Sequence, residues 1–255
     1  MNENDQYITQ IIAQHTPNIT YIVQNKINEL TPHIHTWANG HAYILKLSGS
    51  LAKGTAITGT TDIDIFVSLD PSVGTCNTLE NVYNTLRNRF NMAGYTAREQ
   101  NVSVGINHTG LKIDVVAGVK HHVLGLDHSV WKRKAKTWTK TNIDAHINLV
   151  KNSGRVSDIK AIKIWRKLHD LDFPSFYLEL SVIEALKGTG LLGSSPTTNF
   201  VKVMNYLVND FENKVITDPS NQNNEVSDEL TVAEKQKIKD LAQTTLAGNW
   251  NQAIW

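Results

Sequence analysis

Between Leu47 and Leu69 the chain reads LSGSLAKGTAITGTTDIDIFVSL, and this stretch constrains the fold more than any other. Gly49 and Ser50 close an apolar run made of Ala42, Tyr43, Ile44, Leu45 and Leu47. A turn of such small residues lets backbone N–H groups approach a polyphosphate that a bulky side chain would block. Downstream, Asp62-Ile63-Asp64-Ile65-Phe66-Val67 alternates acid and hydrophobe with period two. On a strand, Asp62 and Asp64 then share one face while Ile63 and Ile65 share the other. Two carboxylates so close raise each other's protonation tendency unless divalent cations or donors offset the charge. Their hard oxygen ligands suit Mg²⁺ or Mn²⁺.

Asp-Ile-Asp at a strand end is often just a solvated face. Two further features point to a site for a nucleoside triphosphate and metal. The insert between Ser50 and Asp62 holds Lys53, Gly54-Thr55 and Gly59-Thr60, a sequence fit to wrap phosphate. A third acid, Asp114, stands inside the apolar run Leu111-Lys112-Ile113-Asp114-Val115-Val116. Packing does not explain it, since a buried unpaired charge is strongly unfavourable. Strand signals at Ala42 to Leu47, Asp62 to Leu69, Tyr95 to Gln100, Val102 to Ile106 and Lys112 to Val116, with a helix over Leu79 to Met92, predict a small mixed sheet with helices on one face. Asp114 must lie beside the Asp62 and Asp64 strand if the three acids are to share two ions about 3.5 to 4 Å apart, as in two-metal phosphoryl-transfer sites.

The 255 residues, 40 % of them hydrophobic, suffice for one bilobal unit. The N-terminus MNENDQ is polar and no long apolar stretch follows, so neither a secretory signal nor a membrane span is expected. The single cysteine, Cys76, excludes an intrachain disulfide and fits a cytoplasmic enzyme. A formal net charge of +1 argues against a stable nucleic-acid complex. The densest basic run, Lys132, Arg133, Lys134, Lys136 and Lys140, reads as a solvated face whose tryptophans, Trp131 and Trp138, turn inward. His33, His35 and His41 lack ligand spacing, and His121, His122, Asp127 and His128 read as an exposed loop rather than a zinc site.

Apolar spacing predicts one or two amphipathic helices over Tyr7 to Leu30, broken at Pro17. Thr141 or Asn142 caps a later helix striped by Ile143, Ile147 and Val150. A helical half follows, interrupted by a Gly/Ser-rich loop (Gly188, Gly190, Gly193, Ser194, Ser195, Pro196) and a polar loop at Asp218 to Asn224, with the terminal Trp250 and Trp255 expected to seal the lobe. The expected organisation is an N-terminal helical segment (1–35), a catalytic core (36–140) and a helical lobe (141–255).

Gly-Ser, then Asp-x-Asp, then a strand-borne third Asp resembles the nucleotidyltransferase superfamily of DNA polymerase β. Within it the chain is most similar to the bacterial cGAS/DncV-like nucleotidyltransferases (CD-NTases), and the likeness extends to the Trp138-Thr139…His146 stretch. The resemblance implies an α+β fold: a polymerase β-like nucleotidyltransferase sheet with helices and a C-terminal helical lobe. It implies two Mg²⁺ (or Mn²⁺) ions held by Asp62, Asp64 and Asp114, with Asp114 assisting deprotonation of the attacking hydroxyl. It places Gly49, Ser50, Lys163 and Ser175 on the nucleotide's phosphates, and Tyr177 either stacked on a base or packed in the core. The implied activity joins NTPs into a cyclic di- or trinucleotide for antiphage signalling and releases pyrophosphate. A regulatory partner or ligand stays open. Asp114 is followed by Val115-Val116-Ala117-Gly118, where many relatives have a proline. Alternatives are a CCA-adding or other acceptor nucleotidyltransferase, for whose tRNA-gripping domains this length leaves no room, and a catalytically silent nucleotide or RNA sensor.

Overall fold

The computed structural model describes residues 2–60, 62–190 and 195–248. In chain order the elements begin with α1 (Glu3–Gln14), α2 (Thr20–Ala38), β1 (Tyr43–Leu47), α3 (Gly49–Lys53), β2 (Ile63–Leu69), α4 (Val73–Cys76), α5 (Leu79–Met92), β3 (Arg98–Glu99), β4 (Val104–His108) and β5 (Leu111–Lys120). They continue with β6 (His128–Lys132), β7 (Thr137–Thr141), α6 (Ile143–Asn152), α7 (Val156–Leu168), α8 (Ser175–Ala185), α9 (Pro196–Asn209), β8 (Thr217–Asp218), β9 (Asn221–Glu225), a 3-10 turn (Val226–Glu229) and α10 (Val232–Ala247).

Two compact units are formed, each from separate stretches of chain: 18–52 with 61–147, and 1–17 with 53–60 and 148–255. These borders differ from the sequence expectation. The stretch 53–60 groups with the helical half because Ile57 packs in that half's core and Thr55 donates to Glu179 there. Residues 18–35, including most of α2, group with the sheet because Val23, Leu30 and Ile34 pack under it.

In the sheet unit the strands run β1-β2-β5-β4-β3, with β6 added to β5 and β7 to β6. β2 and β5 are parallel, and the remaining pairs are antiparallel. A parallel neighbour needs a crossover, and α5 lies within it. Thr78 caps α5 by accepting from the Asn81 N–H, and the stripe Val82, Leu86 and Phe90 then buries against the sheet. Alternation along β2 sends Ile63, Ile65, Val67 and Leu69 into that core, while Phe66 joins a small cluster with Val130 and Ile143 on the other face. Asp64, two residues before Phe66, therefore stands on the face away from α5.

The helical unit is built on α8, whose residues Tyr177 to Val182 are all buried. Around it pack Ile159, Ile162 and Trp165 of α7, Phe200 and Val203 of α9, and Ile238 and Ala242 of α10. Trp165 donates its indole N–H to Thr245 on α10 at 3.0 Å. Thr231 and Glu234 form a capping box at the start of α10. The segment expected to be a polar loop contains the short hairpin β8–β9. Gly193, Ser194, Trp250 and Trp255 lie outside the described residues. No described helix is long and apolar enough to cross a membrane.

Candidate active site

The centre of the sheet brings the acids together. Asp64 on β2 and Asp114 on β5 are direct partners in the parallel register, so their side chains leave the same face side by side. Asp62 lies immediately before β2 rather than on it. Its charge reaches Asp114 all the same: the Asp114 carboxyl is pushed above the usual carboxylate range, first by burial and second by Asp62. Gln100 opposes the shift, donating from Nε2 to Asp114 Oδ1 at 2.8 Å. Ser103 in turn donates to Gln100 Oε1 at 2.6 Å and fixes that amide. Gly105, opposite Asp114 on β4, leaves the room these groups occupy, since a Cβ there would stand 2.6 Å from Gln100 Nε2 and 3.0 Å from Asp114 Oδ1.

Gly49 begins a short helix, α3, where a turn was expected, and the helix ends at Lys53, so most of the insert expected to wrap phosphate lies beyond it. Its φ is +59°, and its missing Cβ makes space for the Asp64 carboxylate. The Ser48 N–H donates to the Asp64 carbonyl at 2.8 Å and ties this start to β2. Ser50 sits in the first turn of α3. Among the described residues no three His, Cys, Asp or Glu side chains close on one point as a metal cage. The donor set nevertheless suits Mg²⁺, which is ordinarily held by one or two carboxylates completed by water and substrate phosphate rather than by an all-protein cage. Burial is the larger cause of the rise in Asp114's protonation tendency, and the smaller part due to Asp62 is repulsion that such an ion would relieve.

Lys163, Ser175 and Tyr177 belong to the helical unit. Ser175 is exposed at the first residue of α8 and accepts from Arg166 Nη1 at 3.0 Å. Lys163 is only 2 % exposed, with its Nζ donating to Glu179 Oε1 at 2.6 Å and to Thr55 Oγ1 at 3.0 Å. Lys53 donates to the other oxygen of Glu179 at 2.7 Å. Tyr177 is wholly buried, stacked on Phe211 with ring centroids 5.1 Å apart and edge-on to Phe173. Of the two roles open to it, packing is the one its position allows. Neither Glu179 nor Gln100 was singled out from sequence. A glutamate in the apolar run Leu178-Glu179-Leu180 was the available signal for the first, and nothing marked the second.

The basic run forms the β6–β7 hairpin, with Trp131 opposite Trp138. Trp131 packs against the core as expected, but Trp138 is 56 % exposed. Lys140 pairs with Asp127 at 2.8 Å and Arg133 with Glu99 at 3.4 Å. His128 was expected in an exposed loop and is instead fully buried on β6, its Nε2 accepting from Ser68 and its Nδ1 donating to the Leu126 carbonyl.

No family model and no curated protein matches the sequence. Solved structures do match in fold. CdnC of E. coli MS115-1, solved with ATP, is 19 % identical, with 97 % of this chain and 94 % of that chain covered and a TM-score of 0.76. The same protein in its CdnC:HORMA-deltaN complex gives 19 % identity, 97 % and 93 % coverage and a TM-score of 0.74. The CD-NTase CdnG of Bradyrhizobium diazoefficiens, solved with GTP, is 9 % identical over 99 % of this chain and 96 % of its own, with a TM-score of 0.74. The chain has the α+β fold of the CD-NTases, a polymerase β-like nucleotidyltransferase sheet accompanied by helices.

Proposed function

We propose that the chain is a nucleotidyltransferase that joins NTPs into a cyclic di- or trinucleotide with release of pyrophosphate, serving antiphage signalling. The observation that carries this reading is the side-by-side placement of Asp64 and Asp114 on parallel β2 and β5, with Asp62 just ahead and Gly49 making room for Asp64. Asp62, Asp64 and Asp114 would hold two Mg²⁺ or Mn²⁺ ions, which when bound stabilise negative charge at the transferring α-phosphate. Asp114, whose carboxyl is pushed above the ordinary range by burial and which has a fixed partner in Gln100, is proposed to take the proton of the attacking hydroxyl. Gly49 and Ser50 offer backbone N–H groups to phosphate. Ser175, exposed at the start of an eleven-residue helix, is the phosphate ligand proposed from the helical unit. Lys163 is proposed to act on phosphate from within its buried cluster.

The fold likeness supports the product class, since CdnE of Elizabethkingia meningoseptica, with a TM-score of 0.66, is a cyclic dinucleotide synthase solved with GTP and Apcpp. The test is incubation with the four labelled NTPs and Mg²⁺ or Mn²⁺, phosphatase treatment and product separation, with Asp64→Asn alongside. A phosphatase-resistant product absent from the variant is expected. Label passing instead to tRNA or a small hydroxyl acceptor would favour an acceptor nucleotidyltransferase, and turnover surviving in Asp64→Asn would sink the site assignment.

A further inference from the structure

The helical unit contains a cavity of about 270 Å³ between α1, α7 and α9, and every residue that lines it belongs to that unit. Its floor is apolar and buried: Ile8 of α1, Ala161 and Ile162 of α7, and Phe200 and Val203 of α9. Packed cores ordinarily close over such space, because a void forfeits the contacts its walls would otherwise make. A volume of this size is near the lower end of those that hold small molecules. None of the residues assigned above to metal, phosphate or proton transfer lines it.

One acid stands in this apolar surround. Asp158 is part of the cavity wall, and its Oδ1 accepts from Asn199 Nδ2 on α9 at 3.1 Å. Its Oδ2 accepts no hydrogen bond among the described residues. Arg155, which also lines the cavity, keeps Nη1 3.8 Å from Oδ2 and donates from Nη2 to the Leu186 and Thr189 carbonyls. Burial raises the Asp158 carboxyl above its ordinary pKa, and Asn199 and Arg155 only partly offset that rise. Asp158 is the third residue of α7, from which an acidic side chain can reach back to the N-cap N–H. That N–H, of Arg155, donates instead to Ser153 Oγ at 3.0 Å. Helix capping therefore does not account for Oδ2, and a ligand donor would.

We propose that this cavity binds a small neutral aromatic molecule with an amide or amino head, whose N–H donates to Asp158 Oδ2 while its ring packs on Ile8, Ile162 and Phe200. The donor matches the one carboxylate oxygen that has no hydrogen bond. Neutrality follows because Asp158 and Arg155 already cancel each other. An added cation would stand beside the guanidinium and an added anion beside the carboxylate, each carrying its own desolvation cost. The apolar floor favours a ring over a flexible polar chain. The proposal goes beyond nucleotidyl transfer and does not depend on it.

The test titrates benzamide, benzoate and benzamidinium, one shape in three charge states, into the full chain with its Ile and Val methyl groups labelled for NMR. Neither NTP nor divalent cation is present. Benzamide is expected to bind in the millimolar range that so small a ligand reaches, shifting the methyl resonances of Ile8, Ile12, Ile162 and Val203, which line the cavity. Benzoate and benzamidinium should bind at least about tenfold more weakly, the weight of one charge-assisted hydrogen bond. Asp158→Asn keeps an acceptor for Asn199 but replaces Oδ2 with a donor, so benzamide should bind at least about tenfold more weakly. The Tm of that variant should equal or exceed the wild-type value, since a buried charge is removed. Unmoved methyl resonances, benzoate or benzamidinium binding as well as benzamide, or unchanged benzamide affinity in Asp158→Asn would overturn the proposal. Affinity lost together with a lower Tm would mark Asp158 as structural and overturn it too. A failure of the transfer reading is read separately, as turnover that survives in Asp64→Asn.

Discussion

The Asp64 carboxylate fills the space that a Cβ at Gly49 would need, with Oδ2 only 1.7 Å from that position. Glycine is required there twice, for this contact and for a φ of +59°. Gly49→Ala should push Asp64 away from Asp114. Misplacement of about 1 Å can cost roughly a hundredfold in rate, so turnover should fall by about that factor, with stability lowered by about 1–2 kcal/mol from the left-handed backbone. Steady-state turnover and a melting curve on one preparation check both.

The raised protonation tendency of Asp114 sets a pH dependence. Because its folded-state pKa lies above the unfolded value, its protonated form stabilises the fold at low pH, and that contribution is lost as pH rises through the folded pKa. Asp114→Asn should therefore melt at or above the wild-type temperature at neutral pH while losing turnover. Gln100→Leu removes the donor that holds the pKa down, so the acidic limb of the wild-type rate profile should move to higher pH. A profile unmoved in Gln100→Leu would deny Asp114 the proton-accepting role.

Glu179 anchors the buried cluster that it forms with Lys53 and Lys163. Glu179→Gln would leave the Lys53 and Lys163 ammonium groups without a counter-charge inside the unit. Breaking a buried pair in this way costs about 3–5 kcal/mol, to be read from denaturant midpoints. Equal midpoints would mean that water already balances the cluster.

His128 provides a second pH-dependent element, within the sheet unit. Burial holds its pKa below the ordinary value, and of the charges facing it Lys46 and Lys120 lower it further while Asp144 opposes them. The neutral ring is hydrogen-bonded at both nitrogens. Its contribution is present above the unfolded-state pKa of about 6.5 and is lost as pH falls through the lower folded value. Melting temperature should therefore drop between pH 7 and pH 5, and His128→Asn should flatten that difference.

The acids and the strands that carry them were legible because each depends on local pattern. Period-two alternation marked β2, an acid inside an apolar run marked β5, and the helix over Leu79 to Met92 matched α5 at both ends. What escaped notice depends on partners far along the chain. Lys53 and Glu179 are 126 residues apart, and no spacing rule connects them. His128 looked like loop because it follows Gly125 and Asp127, yet β6 closes on β5 and buries its ring against Phe66. The grouping of 53–60 with the helices follows from Ile57 and Thr55, whose neighbours come from α7 and α8.

The chain passes from one compact unit to the other after residues 17, 52, 60 and 147. No single breakpoint in the gene can then exchange one unit and leave the other whole. A recombinant joined at any one position inherits a hybrid sheet unit, a hybrid helical unit or both. A single crossover therefore always leaves at least one unit of mixed parentage, whose core must be repacked by later substitutions.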